Sequence, residues 1–216
     1  MFRQQFLNKE DAKHSDDFWG NFVDPKVNVS EILKTDLKRN KRGGVLLSAY
    51  TDPYQPLEYK YRLTRACLEV LLQFHWKVII LTKSNLVTRD VDLLSRIKSV
   101  DVGLTVTTND DSVREIIEPI APSIEDRINT LSHLHSRKIK TYVHIGPILP
   151  MDPKDLVDQI ANHIDYAIID KMSYISSDLE ELYQRNGFDY ALGEDYFKSK
   201  EGELRRLLER ENIRIW

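Results

Sequence analysis

Cysteine is almost absent, since Cys67 is the sole thiol in 216 residues. One thiol cannot form an intramolecular disulfide, and such low usage points to a cytoplasmic setting. Glycine and proline are sparse, at eight each, and no low-complexity linker or fixed-period repeat is visible. No apolar run approaches the length of a transmembrane helix. The opening Met1-Phe2-Arg3-Gln4-Gln5-Phe6 lacks the apolar core of a signal peptide. These absences predict a soluble protein with no membrane partner. A surplus of positive charge is missing too. Lys and Arg number 31 against 34 Asp and Glu, for a net charge of −3. Bulk electrostatics therefore give no support to non-specific nucleic-acid binding, although a local basic groove stays compatible with that figure. No G-x-G-x-x-G or Walker-type loop occurs, and Arg42-Gly43-Gly44 stands before a strand, the wrong side for a phosphate loop. The ordinary dinucleotide and nucleotide-triphosphate readings fail.

What the chain does contain is an alternation of apolar runs and amphipathic stretches. Val45–Tyr50, Val78–Thr82, Val102–Thr107, Thr141–Ile145 and Tyr166–Ile169 read as strands buried on both faces. Lys26-Val27-Asn28 and Ile213-Arg214-Ile215 are candidates for short edge strands. Between the runs, Leu57, Tyr61, Thr64, Leu68, Leu71 and Leu72 recur at helical spacing. Ser123, with Asp126 three residues on, and Asp152-Pro153 are helix-start signals. The basic run 38–42 reads as a solvated helix end, and the stretch 198–212 as a salt-bridged surface helix. Strands alternating with helices predict parallel βα units, closed as a barrel or open as a doubly wound sheet. Polar residues gather after the strands, at Thr51-Asp52, Lys83-Ser84 and Thr107-Thr108-Asn109, the edge where both architectures keep their chemistry.

Several ordered segments resemble the radical S-adenosylmethionine (SAM) proteins similar to spore photoproduct lyase. They are Thr51-Asp52-Pro53-Tyr54-Gln55-Pro56-Leu57-Glu58 and Leu81-Thr82-Lys83-Ser84. Next come Val102-Gly103-Leu104-Thr105, then Ile117-Glu118-Pro119 with Ala121-Pro122-Ser123 and on to Arg127-Ile128, and finally His144-Ile145-Gly146-Pro147. An upstream piece, Trp19 to Asn28, fits the same order, so the likeness runs from about residue 18 to 170 in register. The resemblance implies an α/β fold, a partial (βα) barrel of the radical SAM type with parallel strands and outer helices. It makes residues 1–216 one domain, with 171–216 as a C-terminal helical part. It also implies SAM as cofactor, contacted by Lys83 through the ligand carboxylate, by Thr51 and Thr105 through hydroxyls, and by Asp52. Gly146 would leave room for the nucleoside. Tyr50 stands where the lyase has a cysteine that returns a hydrogen atom to the product radical. The activity implied is reductive cleavage of SAM to a 5′-deoxyadenosyl radical, with a nucleic-acid lesion as one implied substrate.

The family also binds a [4Fe–4S] cluster through Cys-x3-Cys-x2-Cys, and this sequence contains no such motif. Met1 falls near where that loop would end, so a shortened chain is expected over an evolved loss, with the first strand and cluster loop missing. A barrel lacking that strand would expose an edge and favour self-association. Plainer readings remain open for each residue. Lys83 can snorkel on a rim, the threonines can be ordinary strand residues, and Asp52-Pro53 is a turn signature in its own right. Two other functions compete: a cluster-free barrel that binds SAM or a nucleoside, and a lyase using Lys83 as a Schiff-base nucleophile. The six histidines are spaced too irregularly to announce a metal site.

Overall fold

A computed structural model describes residues 23–47, 51–172 and 175–216. Six strands, β1 (Gly44–Leu47), β2 (Lys77–Thr82), β3 (Val100–Thr105), β4 (Lys140–Ile145), β5 (Tyr166–Ile169) and β6 (Arg214–Ile215), form one sheet in the order β1-β2-β3-β4-β5-β6. Every neighbouring pair is parallel. An unreversed order means each crossover steps the same way, which puts the helices on one side of the sheet and curls the other into a trough. A doubly wound sheet would reverse its order part-way. The architecture is a partial barrel.

The helices are α1 (Val29–Arg39), α2 (Glu58–Tyr61), α3 (Leu63–Phe74), α4 (Val91–Leu94), α5 (Asp111–Ile117), α6 (Ile124–Ser136), α7 (Pro153–Ile160), α8 (Ser177–Arg185) and α9 (Glu194–Arg210). Strand side chains alternate between faces. Val78, Ile80, Val102, Leu104, Val143 and Ile145 point outward into one continuous apolar core with Leu68, Leu71, Leu131, Leu134 and Leu156. Each such buried side chain stabilises by about 1.5–3 kcal/mol relative to exposure. The inner face differs. Tyr142 stacks on Tyr166 at 4.8 Å, lies over Gly103, its partner in register, and donates its hydroxyl to the Ile80 carbonyl at 3.0 Å. A Cβ on Gly103 would stand 2.2 Å from the Tyr142 ring. That glycine exists to let a tyrosine cross the trough.

Local chemistry explains the helix boundaries. Ser123 accepts from the Asp126 amide at 3.0 Å, and Asp152 accepts from the Lys154 and Asp155 amides at 2.9 and 3.2 Å, as N-caps do. Three sequence expectations are corrected. Lys26-Val27-Asn28 is no strand; it turns into α1, with Asn28 at the N-cap. The third strand runs two residues earlier than expected. The helix expected across Leu57 to Leu72 is two helices, split at Arg62 with φ 51°. There the buried Glu58 carboxylate accepts the Thr64 amide at 2.8 Å and so starts α3 anew. Ile215 does pair with Ala167 at the sheet's far edge. The C-terminal helix is laced with i,i+4 pairs such as Arg205 to Glu201.

Candidate cofactor site at the mouth of the barrel

The loop after β1 is fixed by one carboxylate. Asp52 Oδ1 accepts from the Tyr54 amide at 2.8 Å and from the Thr82 hydroxyl at 2.6 Å. Its Oδ2 accepts from the Lys83 amide at 2.8 Å. Three of the roughly four acceptor positions of a carboxylate are thus filled by protein. Asp52 closes its own turn and clamps the ends of β1 and β2 together. Thr51, beside it, is exposed on the rim. Tyr50 lies outside the described residues.

With its backbone held, Lys83 extends its side chain along the mouth, where Nζ stands 3.4 Å from Glu118 Oε1. The other oxygen of Glu118 accepts from Arg127 at 2.8 Å. Arg127 is fully buried, which a guanidinium tolerates only when its donors are satisfied. It donates also to the carbonyls of Thr105 and Pro122, each at 3.0 Å. A continuous chain therefore runs from the end of β3 through Arg127 and Glu118 to the Lys83 ammonium. Glu118 and Arg127 were legible only as parts of a motif. The signal for their role was an acid after one helix and a basic residue in the first turn of the next.

His144 and Gly146 project from the end of β4. A Cβ on Gly146 would fall 2.7 Å from the His144 ring and 2.8 Å from Asp170 Cβ, so this glycine makes space first for protein groups. His144 Nε2 lies 4.0 Å from Asp170 Oδ2. Burial lowers the His144 pKa; Asp170 opposes that and the Lys83 charge adds to it. Its Nδ1 and the Thr107 hydroxyl are buried without a hydrogen-bond partner among the described residues. A cavity of about 370 Å3 opens here, with Glu118, His144, Gly146 and Asp170 on its polar side and Ile117 and Leu149 on its apolar side. Lys83, Glu118, Thr105, His144 and Gly146 thus share the mouth, while Thr51 stays at its edge.

These residues suit a small zwitterionic ligand with an apolar-faced ring. The site offers an ammonium, carboxylates, an imidazole and a pocket of the size that takes small molecules. They do not fit an iron–sulfur cluster. Cluster iron needs thiolates, and Cys67 is buried on α3, where burial pushes its thiol up to about 11. Among the described residues no group of three or more His, Cys, Asp or Glu could hold a metal ion.

No protein-family model matches the chain. An uncharacterized protein of Methanocaldococcus jannaschii, MJ0683, is 37% identical over 140 residues, covering 65% of this chain and 51% of that protein. A radical SAM Nalpha-GlyT isomerase of Pseudomonas phage M6 is 23% identical over 172 residues, 74% of this chain and 36% of the isomerase. The chain spans about half or less of the length of these curated relatives. Among solved structures, a mutant of spore photoproduct lyase superposes with a TM-score of 0.62 at 12% identity, over 89% of this chain and 67% of the lyase. The fold is that of the radical SAM enzymes. The six parallel strands with outer helices correspond to their partial barrel.

Proposed function

We propose that this chain is the SAM-binding domain of a radical SAM enzyme similar to spore photoproduct lyase. The observation that carries the reading is the ammonium of Lys83, set at the cavity mouth by Glu118 and, behind it, by the buried Arg127. An incoming carboxylate exchanges one anionic partner of Lys83 for another and so costs little desolvation. Thr51 and Thr105 offer hydroxyls to the same ligand, Gly146 bounds the nucleoside side, and Asp52 holds the loop that carries Thr51. When bound, SAM supplies a sulfonium whose reductive cleavage yields a 5′-deoxyadenosyl radical. The thiolates of the cluster that delivers the electron are not among this chain's residues. Tyr50, one residue before Thr51, is the candidate for hydrogen-atom return on sequence grounds alone. A nucleic-acid lesion is the substrate class that the resemblance suggests.

Calorimetric titration of the chain with SAM tests the reading without any turnover. Lys83→Ala is expected to weaken binding by about 10- to 100-fold, the worth of a hydrogen bond to a charged group. Decarboxylated SAM should bind the native chain and the variant alike. No binding at millimolar SAM, or an affinity indifferent to Lys83, removes the proposal. A cluster-free barrel that binds SAM without radical chemistry gives the same titration. The two part after anaerobic iron reconstitution of the chain with a Cys-x3-Cys-x2-Cys segment added ahead of it.

A further inference from the structure

The end of the barrel opposite the mouth is basic beneath β1 to β4, although the chain as a whole is not, and exposed acids (Asp165, Glu211) appear only in the lead-ins to β5 and β6. The segments leading into three of the strands carry Lys41 and Arg42 before β1, Arg96 and Lys98 before β3, and Arg137 and Lys138 before β4. All six are exposed, and none pairs with an acid among the described residues. The one buried carboxylate at this end, Asp101, is taken by Lys140 at 3.2 Å and Lys77 at 3.9 Å. Helix dipoles explain part of this, because the helices end here and their negative C-termini attract cations. Arg137 at the end of α6 is of that kind. Arg42 and Lys98 are not, since both stand in strand lead-ins beyond any helix terminus.

A second feature sits within the same surface. A cavity of about 190 Å3 is walled by Arg42, His75, Lys98 and Ser99 over a floor of Leu72 and Trp76. At about 30 Å3 per liquid water, that volume admits a phosphate group with some of its hydration. The strands are neighbours in order, so cations of β1 and β4 are about 14 Å apart along the edge. That distance exceeds what a single small anion can span and suits separate, non-adjacent phosphates of a polymer.

We infer that this floor binds the phosphodiester backbone of a nucleic acid, with one phosphate in the Arg42–Lys98 cavity and others along Arg137 and Lys138. Recognition of this kind is electrostatic and independent of sequence, and it tethers the domain and leaves the mouth free. It does not depend on SAM binding. The test is anisotropy of a fluorescein-labelled 20-base-pair DNA duplex titrated with the chain between about 50 and 200 mM NaCl. Neutralising about four phosphates gives a slope of roughly −3.6 in log K against log salt. The double variant Arg42→Ala/Lys98→Ala should weaken binding at least tenfold and reduce that slope by about one, the share of the single phosphate the cavity holds. Arg137→Ala/Lys138→Ala should do likewise, and Lys198→Ala, an exposed cation on α9 away from the floor, should leave DNA binding unchanged. Absence of binding at about 50 mM salt, or a slope that neither double variant alters, overturns the inference. So does full displacement by about 1 mM inorganic phosphate together with indifference to Arg137→Ala/Lys138→Ala, which would mark a site for a free small anion.

Discussion

The two ends of the barrel hold their charges in opposite ways. At the mouth, Lys83, Glu118, Arg127, Asp52 and His144 are buried or half-buried, and their charged groups are committed to neighbours, while His144 Nδ1 has no hydrogen-bond partner among the described residues. At the floor, Lys41, Arg42, Arg96, Lys98, Arg137 and Lys138 stand in water without acidic partners among the described residues. Charge held in low dielectric is expensive to leave unpaired, whereas exposed charge costs little and acts at a distance. The mouth is therefore built for a fixed geometry and the floor for a long-range field. Substitutions at the two ends should differ in kind, with stability lost at the first and association at the second.

The largest expected effect is at Arg127. Arg127→Ala leaves the Thr105 and Pro122 carbonyls and one Glu118 oxygen without their donor, and it should cost about 3–5 kcal/mol in urea denaturation. A loss below about 1 kcal/mol would mean the mouth is not the rigid end. Next is Gly103→Val, midway between the ends, where a side chain must displace the Tyr142 ring from 2.2 Å. About 2–3 kcal/mol is expected. Paired replacement with Tyr142→Ala should recover part of the loss if the collision is the cause. Asp52→Ala removes an acceptor from three hydrogen bonds and should cost about 2 kcal/mol, together with a weaker SAM titration.

The pH dependence sharpens the contrast. Burial holds the His144 pKa below its ordinary 6.5, with Asp170 and Lys83 as the charged groups that act on it. The unfolded chain then takes up the proton first as pH falls, so stability is present above about pH 6.5 and is lost on acidification below it. His144→Gln should flatten that limb of a pH–melting curve; an unchanged limb assigns it to other groups. The smallest effect belongs to the floor. Arg96→Ala and Lys138→Ala should each shift stability by less than about 0.5 kcal/mol, and a larger loss at either would erase the distinction between the ends.

Much of this was legible in the sequence, and the parts that were not have a common physical origin. Strand existence followed from β-branched runs, and Tyr166–Ile169 lies where expected because its limits are set by its own residues. Caps at Ser123 and Asp152 were readable because an N-cap bonds only two or three residues away. The break at Arg62 was hidden because its cause is the buried Glu58 carboxylate, which Arg89 also holds at 3.1 Å from 31 residues away. The partnership of Lys83 with Glu118 was hidden for the same reason, since it joins the ends of different βα units. Net charge concealed the basic floor by averaging over the acids placed at helix N-termini around the mouth. Unreversed strand order could not be read from the apolar runs, which look alike whichever way the sheet winds; the resemblance implied a partial barrel, and the strand order bears it out.

That order also carries a temporal meaning. Each strand of the sheet lies beside the one made just before it, so a growing chain meets its next partner at the edge completed last. None of the described strands has to wait for a distant segment or be inserted between two already paired. Such a sheet can assemble by accretion during synthesis, one βα unit at a time.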